Sequence, residues 1–181
     1  MSLAKKLRQK YTYRDYLAWD DGERWEIIGG EAYNMTPAPT VRHQEIVVRF
    51  SRMMGNQLQG KRCALFVAPT DVVFSEENVV QPDIFVVCSK KKIQKTHIQG
   101  APDLIIEVLS PATSLKDRRE KKELYEKFGV KEYIIVDPDE KYVERHLLQK
   151  NRFGMPEIFG PKDKLIFRSL KGLKLSLAEI F

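Results

Sequence analysis

The sequence predicts an α/β protein in which helices pack on a mixed sheet, an α+β arrangement rather than a doubly wound βαβ repeat. Several short runs are rich in β-branched and aromatic residues, which favour strands. Two longer runs carry apolar residues at helical spacing. The signals follow the order helix, hairpin, helix, three strands, helix and strands, and this irregular order favours a mixed sheet.

The N-terminal part is expected to contain two helices and a hairpin. Residues 12–19 predict a short helix with Thr12 as its N-cap. Gly29 and Gly30 separate two apolar-rich runs and predict a β-hairpin, because glycine accepts the positive φ of tight turns. Residues 40–58 predict an amphipathic helix. Its apolar stripe comprises Ile46, Val47, Phe50, Met53, Met54 and Leu58.

The rest of the chain is expected to supply most of the sheet. Predicted strands lie at residues 63–74, 79–88 and 101–110. A helix then runs to about Phe128, with Gly129 as its C-cap. Two further strands are joined by a turn at Asp137, Pro138 and Asp139. The tail predicts another strand pair and a last turn.

Composition limits the class of protein. The 181 residues predict one domain over residues 1–181, and no apolar run is long enough to span a bilayer. The charged start has no apolar stretch after it, so we expect a cytoplasmic protein. Cys63 and Cys88 exclude a disulfide framework or a four-cysteine zinc site and are expected to be reduced thiols.

The positive charge is unevenly distributed, although the net charge is only +6. The basic clusters are Lys5, Lys6, Arg8 and Lys10; Lys90, Lys91, Lys92 and Lys95; and Lys162, Lys164, Arg168, Lys171 and Lys174. Such clusters can bind a polyanion, but they can equally be solvated surface residues. Both interpretations stay open at this point.

Two carboxylates lie inside apolar strand-like runs, namely Asp83 and Glu107. A buried carboxylate needs a hydrogen bond, a counter-ion or a metal. If the two strands are neighbours, both acids can meet over one face, and paired carboxylates suit Mg²⁺. The alternative is structural: Asp83 begins a turn after Pro82, and Glu107 pairs with a lysine at a sheet edge.

Lys121 is the lysine on the inward side of the following helix. It shares a stripe with Asp117, Leu124, Tyr125 and Phe128, of which the last three are apolar. Its ammonium could reach a neighbouring carboxylate or stabilise charge that develops on a phosphate. It could also reach water from the first turn of the helix.

These motifs are similar to those of a known family. The similar segments are residues 81–83, residues 101–111, Asp117 to Lys121 with Tyr125, and residues 132–138. They resemble the Uma-type family, bacterial proteins grouped with the PD-(D/E)XK nuclease superfamily. The early hairpin at residues 25–31, His43 and the tail at residues 173–181 are also similar, so the resemblance covers nearly the whole chain.

The resemblance implies a restriction-endonuclease-like core with an N-terminal hairpin extension, and a Mg²⁺- or Mn²⁺-dependent endonuclease. Asp83 and Glu107 match the two motif acids and would hold the ion with the Val108 carbonyl. The superfamily lysine usually follows the second acid by two residues, where this chain has Leu109. The Uma-type lysine lies in the next helix, where Lys121 falls. A DNA substrate and a homodimer are also implied.

Two other residues are weaker candidates. Glu26 could be a third acid of the site, but we favour an exposed strand residue. His43 could be a base, although lone histidines are usually structural.

Two functional hypotheses follow. The first is a metal-dependent nuclease in which Asp83, Glu107 and Lys121 are catalytic. The second is a nuclease-fold module that binds nucleic acid or a protein without turnover. Leu109 in the usual lysine position motivates the second hypothesis, as does the lack of a recognisable DNA-reading motif.

Overall fold

The computed structural model describes residues 10–36, 38–111 and 114–181. Its α-helices are α1 (Tyr13–Tyr16), α2 (Val41–Leu58), α3 (Ser114–Lys116) and α4 (Lys122–Phe128), and a π turn at Asp117–Lys121 joins α3 to α4. Short 3₁₀ turns lie at Lys90–Lys92 and Leu177–Glu179. The N-terminal basic residues Lys5, Lys6 and Arg8 lie outside the described part of the chain.

The strands are numbered in chain order. They are β1 (Trp25–Ile28), β2 (Glu31–Asn34), β3 (Ala64–Val67), β4 (Val72–Ser75), β5 (Asn78–Val80), β6 (Ile84–Val87), β7 (Ile98–Gln99), β8 (Leu104–Val108), β9 (Glu132–Asp137), β10 (Tyr142–Gln149), β11 (Arg152–Phe153), β12 (Glu157–Phe159), β13 (Lys164–Ile166) and β14 (Lys174–Ser176). The larger sheet has the order β11-β10-β9-β8-β6-β3, with β12 beside β10, and a smaller sheet has the order β2-β1-β5-β4-β7. The predicted α+β mixed sheet is therefore confirmed.

The larger sheet is mixed at its centre. Strand β8 pairs antiparallel with β6, with Ile106 opposite Ile84, and parallel with β9, with Ile106 opposite Ile134. A parallel pair needs a long crossover, and the segment that contains α3, the π turn and α4 supplies it. This crossover begins just after the C-terminal end of β8, beside Glu107.

Apolar clusters cover both faces of this sheet. On one face, Ile46 and Phe50 of α2 belong to the same cluster as Ile84 and Ile106. On the other, Tyr125 of α4 belongs to a cluster with Ile105. Because strand residues alternate between faces, Glu107 points with Ile105 towards α4.

Most predicted elements are confirmed. Thr12 caps α1 in a capping box with Asp15, and Thr40 caps α2. Gly29 and Gly30, at φ 60° and 80°, make the turn between β1 and β2. In the tail, β13 pairs with β14.

The predicted strands at 63–74 and 79–88 are wrong, because each is broken into two strands. The first is interrupted at Pro69 and the second at Pro82, which is followed by Asp83. Proline cannot donate a ladder hydrogen bond. In each case one half joins the larger sheet and the other half joins the smaller sheet, so these prolines lie where the chain passes between the sheets.

The expectation of reduced thiols is also contradicted, because Cys63 and Cys88 form a disulfide. Strands β3 and β6 pair with Ala64 opposite Val87, which brings the cysteines that flank them side by side. Because the two cysteines are 25 residues apart in the sequence, their proximity is evident only when the strands are paired.

In the described residues, no helix combines the length and the apolar character needed to cross a membrane.

Candidate active site

Asp83 and Glu107 meet where β6 begins and β8 ends. The backbone N–H of Asp83 donates to Glu107 Oε2 at 3.2 Å, and the N–H of Val108 donates to Asp83 Oδ2 at 2.8 Å. Each carboxylate therefore accepts a hydrogen bond from the other strand's end. Strand β8 lies between β6 and β9, so Glu107 is not the sheet-edge residue of the structural alternative.

Lys121 lies inside the protein, with 3% of its surface exposed. Its Nζ is 2.9 Å from Glu107 Oε1, and the Tyr125 hydroxyl donates to the same oxygen at 2.7 Å. Asp117 Oδ1 is 3.5 Å from the ammonium. The inward orientation expected from the helical stripe is thus observed, and the ammonium is surrounded by carboxylates instead of extending to the outer surface.

Leu109, in the position where the sequence resemblance led us to look for a lysine, is buried among apolar side chains. It is 6% exposed and belongs to the cluster that contains Leu124, Tyr125 and Ile105. The structure thus brings an ammonium to Glu107 from the crossover segment, while Leu109 contributes to the core.

The expectation that Glu26 is an exposed strand residue is wrong. Its side chain is fully buried, and its Oε1 is 3.0 Å from Lys121 Nζ. Lys116 Nζ donates to Oε2 at 2.7 Å, and the backbone N–H of Gln81 donates to Oε1 at 3.0 Å. Glu26 therefore binds both ammonium groups. Sequence alternation could not reveal this, since Ile27 on the other face is buried as well.

The π turn explains how two lysines reach one carboxylate. In an α-helix, side chains five residues apart point in different directions, but in a π turn the repeat lengthens and such residues align. Lys116 directly precedes the π turn, and Lys121 is its last residue. Both lysines contact Glu26. Sequence reasoning missed Lys116 because an ordinary helical wheel places it off the inward stripe.

Carboxylates outnumber ammonium groups in this part of the described structure, and their pKa values reflect that. Burial raises the pKa of Glu107 to about 8 against the opposing charge of Lys121, and Asp117, Asp83 and Glu26 raise it further. Glu107 therefore binds a proton more readily than an ordinary carboxylic acid, and its charged form is stabilised by an additional cation nearby.

Glu26 behaves in the opposite way. Burial alone would raise its pKa, but Lys121 and Lys116 outweigh burial and lower the pKa to about 2. Burial also opposes the charge on Lys121, yet Glu107, Glu26 and Asp117 raise its pKa well above the usual value. Glu26 and Lys121 thus stay ionised and compensate each other, whereas the raised pKa of Glu107 shows that its charge is not fully compensated.

A cavity of about 1000 Å³ borders these groups. Its lining includes the side chains of Asp83, Glu107, Lys116 and Lys121, together with residues 31–36 of β2 and the segment that follows it. The cavity gives a ligand direct access to the carboxylates, as expected of a binding cleft.

Protein atoms supply only part of the coordination shell that Mg²⁺ or Mn²⁺ needs. In the described residues, no group of three or more His, Cys, Asp or Glu is arranged to hold a metal. Mg²⁺ is commonly held by one or two carboxylates together with water and substrate phosphate. Asp83 and Glu107 match that requirement. The N–H of Val108 points towards Asp83, and in a strand the carbonyl of the same residue points to the same side.

His43 lies at the start of α2 and reaches the same place from the other side of the sheet. Its Nε2 is 3.1 Å from Asp83 Oδ2. The sequence led us to expect a structural histidine and did not reveal this contact with Asp83, a candidate site residue.

Comparisons with known proteins agree with the fold. The Uma2 family model, described as "Putative restriction endonuclease", matches residues 13–178. An "Uncharacterized protein slr1290" from Synechocystis is 29% identical over 178 residues, covering 95% of this chain and 92% of that protein. A crystal structure from Anabaena variabilis, described as "a putative nuclease belonging to DUF820", shares the fold with a TM-score of 0.77 at 23% identity, covering 94% and 97% of the two chains. Because the family model spans most of the sequence, the chain belongs to the Uma2 family.

Proposed function

We propose that this protein is a divalent-metal-dependent endonuclease that hydrolyses phosphodiester bonds in DNA. The observation that carries the proposal is the contact of Lys121 Nζ with Glu107 Oε1 at 2.9 Å, beside Asp83. The acid pair and a lysine, which a nuclease of this superfamily needs, therefore come together although Leu109 occupies the usual lysine position.

Asp83 and Glu107 would hold the cation, together with the carbonyl of Val108. Glu107 Oε1 accepts from both Lys121 and Tyr125, whereas Oε2 accepts only the longer hydrogen bond from the Asp83 N–H, so Oε2 is the oxygen we assign to the ion. A bound Mg²⁺ or Mn²⁺ supplies Lewis-acid activation of a phosphoryl oxygen and of a water molecule.

Lys121 has two functions in this proposal. Its ammonium would hold the attacking oxygen close to the phosphorus, and it would stabilise negative charge that develops on the phosphate. Hydrolysis forms one P–O bond from water and breaks one P–O ester bond, releasing an alcohol and a phosphate monoester. Glu26 supports this function because it holds the ammonium in place at 3.0 Å.

The DNA substrate, the homodimer and the cytoplasmic location stay predictions. The family description supports DNA, since restriction endonucleases act on it. A homodimer would bring two sites to one duplex, and sedimentation of the purified protein tests it.

The test is cleavage of supercoiled plasmid and of single-stranded DNA in Mg²⁺, in Mn²⁺ and in EDTA. Glu107→Gln and Lys121→Ala should each lower the cleavage rate by about 100-fold or more. Lys122→Ala and Glu123→Gln are matched controls in α4, directly after Lys121, since both side chains lie off the buried stripe. They should cleave at nearly the wild-type rate.

Two results would contradict the proposal. Metal-dependent cleavage that is unchanged in Glu107→Gln would place the activity elsewhere or in a contaminant. DNA binding without cleavage in either metal would favour the alternative hypothesis, a nuclease-fold module that binds without turnover.

A further inference from the structure

The side chain of His43 leaves α2 from a first turn that is fixed by the helix N-cap. His43 is 4% exposed, and its backbone N–H donates to the capping hydroxyl of Thr40 at 3.2 Å. The cap fixes the first turn of the helix, and therefore the direction in which this side chain leaves it. The ring reaches Asp83, which belongs to a different element of the fold.

The partners of the two ring nitrogens define which one carries the proton. Gln44 Nε2 lies 3.4 Å from His43 Nδ1, and an amide nitrogen can only donate. Nδ1 is then the acceptor, so Nε2 carries the hydrogen of the neutral ring. Nε2 therefore donates to Asp83 Oδ2 at 3.1 Å.

This contact determines which oxygen of Asp83 is available. Oδ2 already accepts from the Val108 N–H at 2.8 Å, and His43 adds a second donor to the same atom. Among the described residues, Oδ1 has no hydrogen-bond donor. A carboxylate held at one oxygen by two donors cannot rotate freely, and Asp83 lines the cavity, so Oδ1 is the oxygen that we assign to a ligand.

We infer that His43 is a positioning residue for the metal site: its Nε2–H orients the Asp83 carboxylate so that Oδ1 binds the divalent cation. The inference rests on the proposed function, because it concerns the same cation. It adds a residue from α2, on the opposite side of the sheet from Lys121, to the groups on which cation affinity depends.

The experiment measures Mn²⁺ affinity of the full-length protein by isothermal titration calorimetry, with plasmid cleavage recorded in parallel. His43→Phe keeps a ring of similar size but removes the donor, and it should weaken Mn²⁺ binding by about 10–100-fold. His43→Gln keeps a donor and should bind nearly as tightly as wild type. Saturating Mn²⁺ should restore most of the cleavage by His43→Phe.

The matched control is His97→Phe. This ring contacts Thr96 and Gln99, remote from Asp83 in the hydrogen-bond network, and the change should not alter Mn²⁺ affinity. A purely structural histidine would lower the thermal midpoint in EDTA without changing the metal affinity of the folded protein. Thermal unfolding of each variant separates these two effects.

The outcomes distinguish this inference from the proposed function. If wild type binds Mn²⁺ and cleaves DNA but His43→Phe binds Mn²⁺ equally well, the positioning role is overturned and the nuclease stands. If His43→Gln loses as much affinity as His43→Phe, the donor is not what matters and the inference also fails. If wild type binds no Mn²⁺, both fail.

A measurement on the wild-type protein avoids any folding defect of the variants. Nitrogen-15 NMR of the imidazole should show the hydrogen of neutral His43 on Nε2. A hydrogen on Nδ1 would remove the donor to Asp83 and overturn the inference.

Discussion

Glu26 and Lys121 form a buried ion pair, with 3.0 Å between Oε1 and Nζ, although one residue lies in the N-terminal hairpin and the other in the crossover after β8. Their side chains are 0% and 4% exposed. A buried charge needs its partner, because each ion has lost its hydration. The hairpin extension is thus physically connected to the candidate catalytic centre.

Removing the charge of Glu26 should therefore cost considerable stability. Glu26→Gln leaves Lys116 without its carboxylate partner and Lys121 with fewer, and we expect the free energy of unfolding to fall by about 3–5 kcal/mol. Urea denaturation in EDTA measures it. The matched change is Glu45→Gln, which breaks an exposed pair with Arg42 and should cost about 0–1 kcal/mol. Similar losses for both variants would show that the buried ion pair contributes no more to the free energy of unfolding than the exposed pair.

Tyr125→Phe tests the hydroxyl that donates to Glu107. Losing this buried hydrogen bond should cost about 1–3 kcal/mol of stability and also lower the cleavage rate, because Oε1 of Glu107 is less well held. Tyr133→Phe is the matched control, since its hydroxyl is equally buried but donates to the backbone carbonyl of Asp117. A comparable loss of cleavage in both variants would indicate a general effect of core packing.

Glu144 provides a test of pH dependence away from the candidate site. Hydrogen bonds from His146 and Arg118, against the effect of burial, lower its pKa to about 2 from an ordinary value of 4.5. A carboxylate with a lowered folded-state pKa stabilises the protein above its unfolded pKa, and this contribution is lost as the pH falls from about 4.5 to about 2.

Glu144→Gln should therefore be less stable than wild type by about 1–3 kcal/mol near pH 7, with a difference that shrinks on acidification. Chemical denaturation at a series of pH values measures it. Glu140→Gln, an exposed change in the turn before β10, is the control. A difference that is constant from pH 7 down to pH 3 would contradict the assigned shift.

The basic cluster at residues 90–95 is open to a test of DNA docking. Lys90, Lys91 and Lys95 are exposed, whereas Lys92 donates to the carbonyl of Ala101. If the exposed lysines contact phosphates, alanine at all three should weaken DNA binding and reduce the salt dependence by about one unit of log–log slope per contact. Fluorescence anisotropy at several salt concentrations measures both quantities. An unchanged slope would show that the cluster is a solvated surface.

Much of the candidate site could be predicted from local patterns. Asp83 and Glu107 stand out because a carboxylate inside an apolar strand has to be compensated, and Lys121 stands out on the apolar stripe of its helix. The structure places these three together. The broken strands could not be predicted as easily, since Pro69 and Pro82 interrupt runs whose side-chain composition is strand-like throughout.

Glu26 and His43 could not be assigned from the sequence for a different reason. Each contacts the site through a partner from another element: Lys116 and Lys121 for Glu26, and Asp83 for His43. Neither residue breaks the local pattern of its own strand or helix. Such a residue becomes recognisable only when its partner is known.

The sequence by itself therefore determined which side chains are too costly to bury alone, because the alternation of strands and the repeat of a helix are local properties. Only the tertiary structure decided how those charges are compensated. The pairing of β6 with β8 joins Asp83 to Glu107, and the π turn aligns Lys116 with Lys121 on Glu26. The physical reason is that a buried charge is stabilised by whichever opposite charge or dipole lies within a few ångströms, and distance along the chain says little about that.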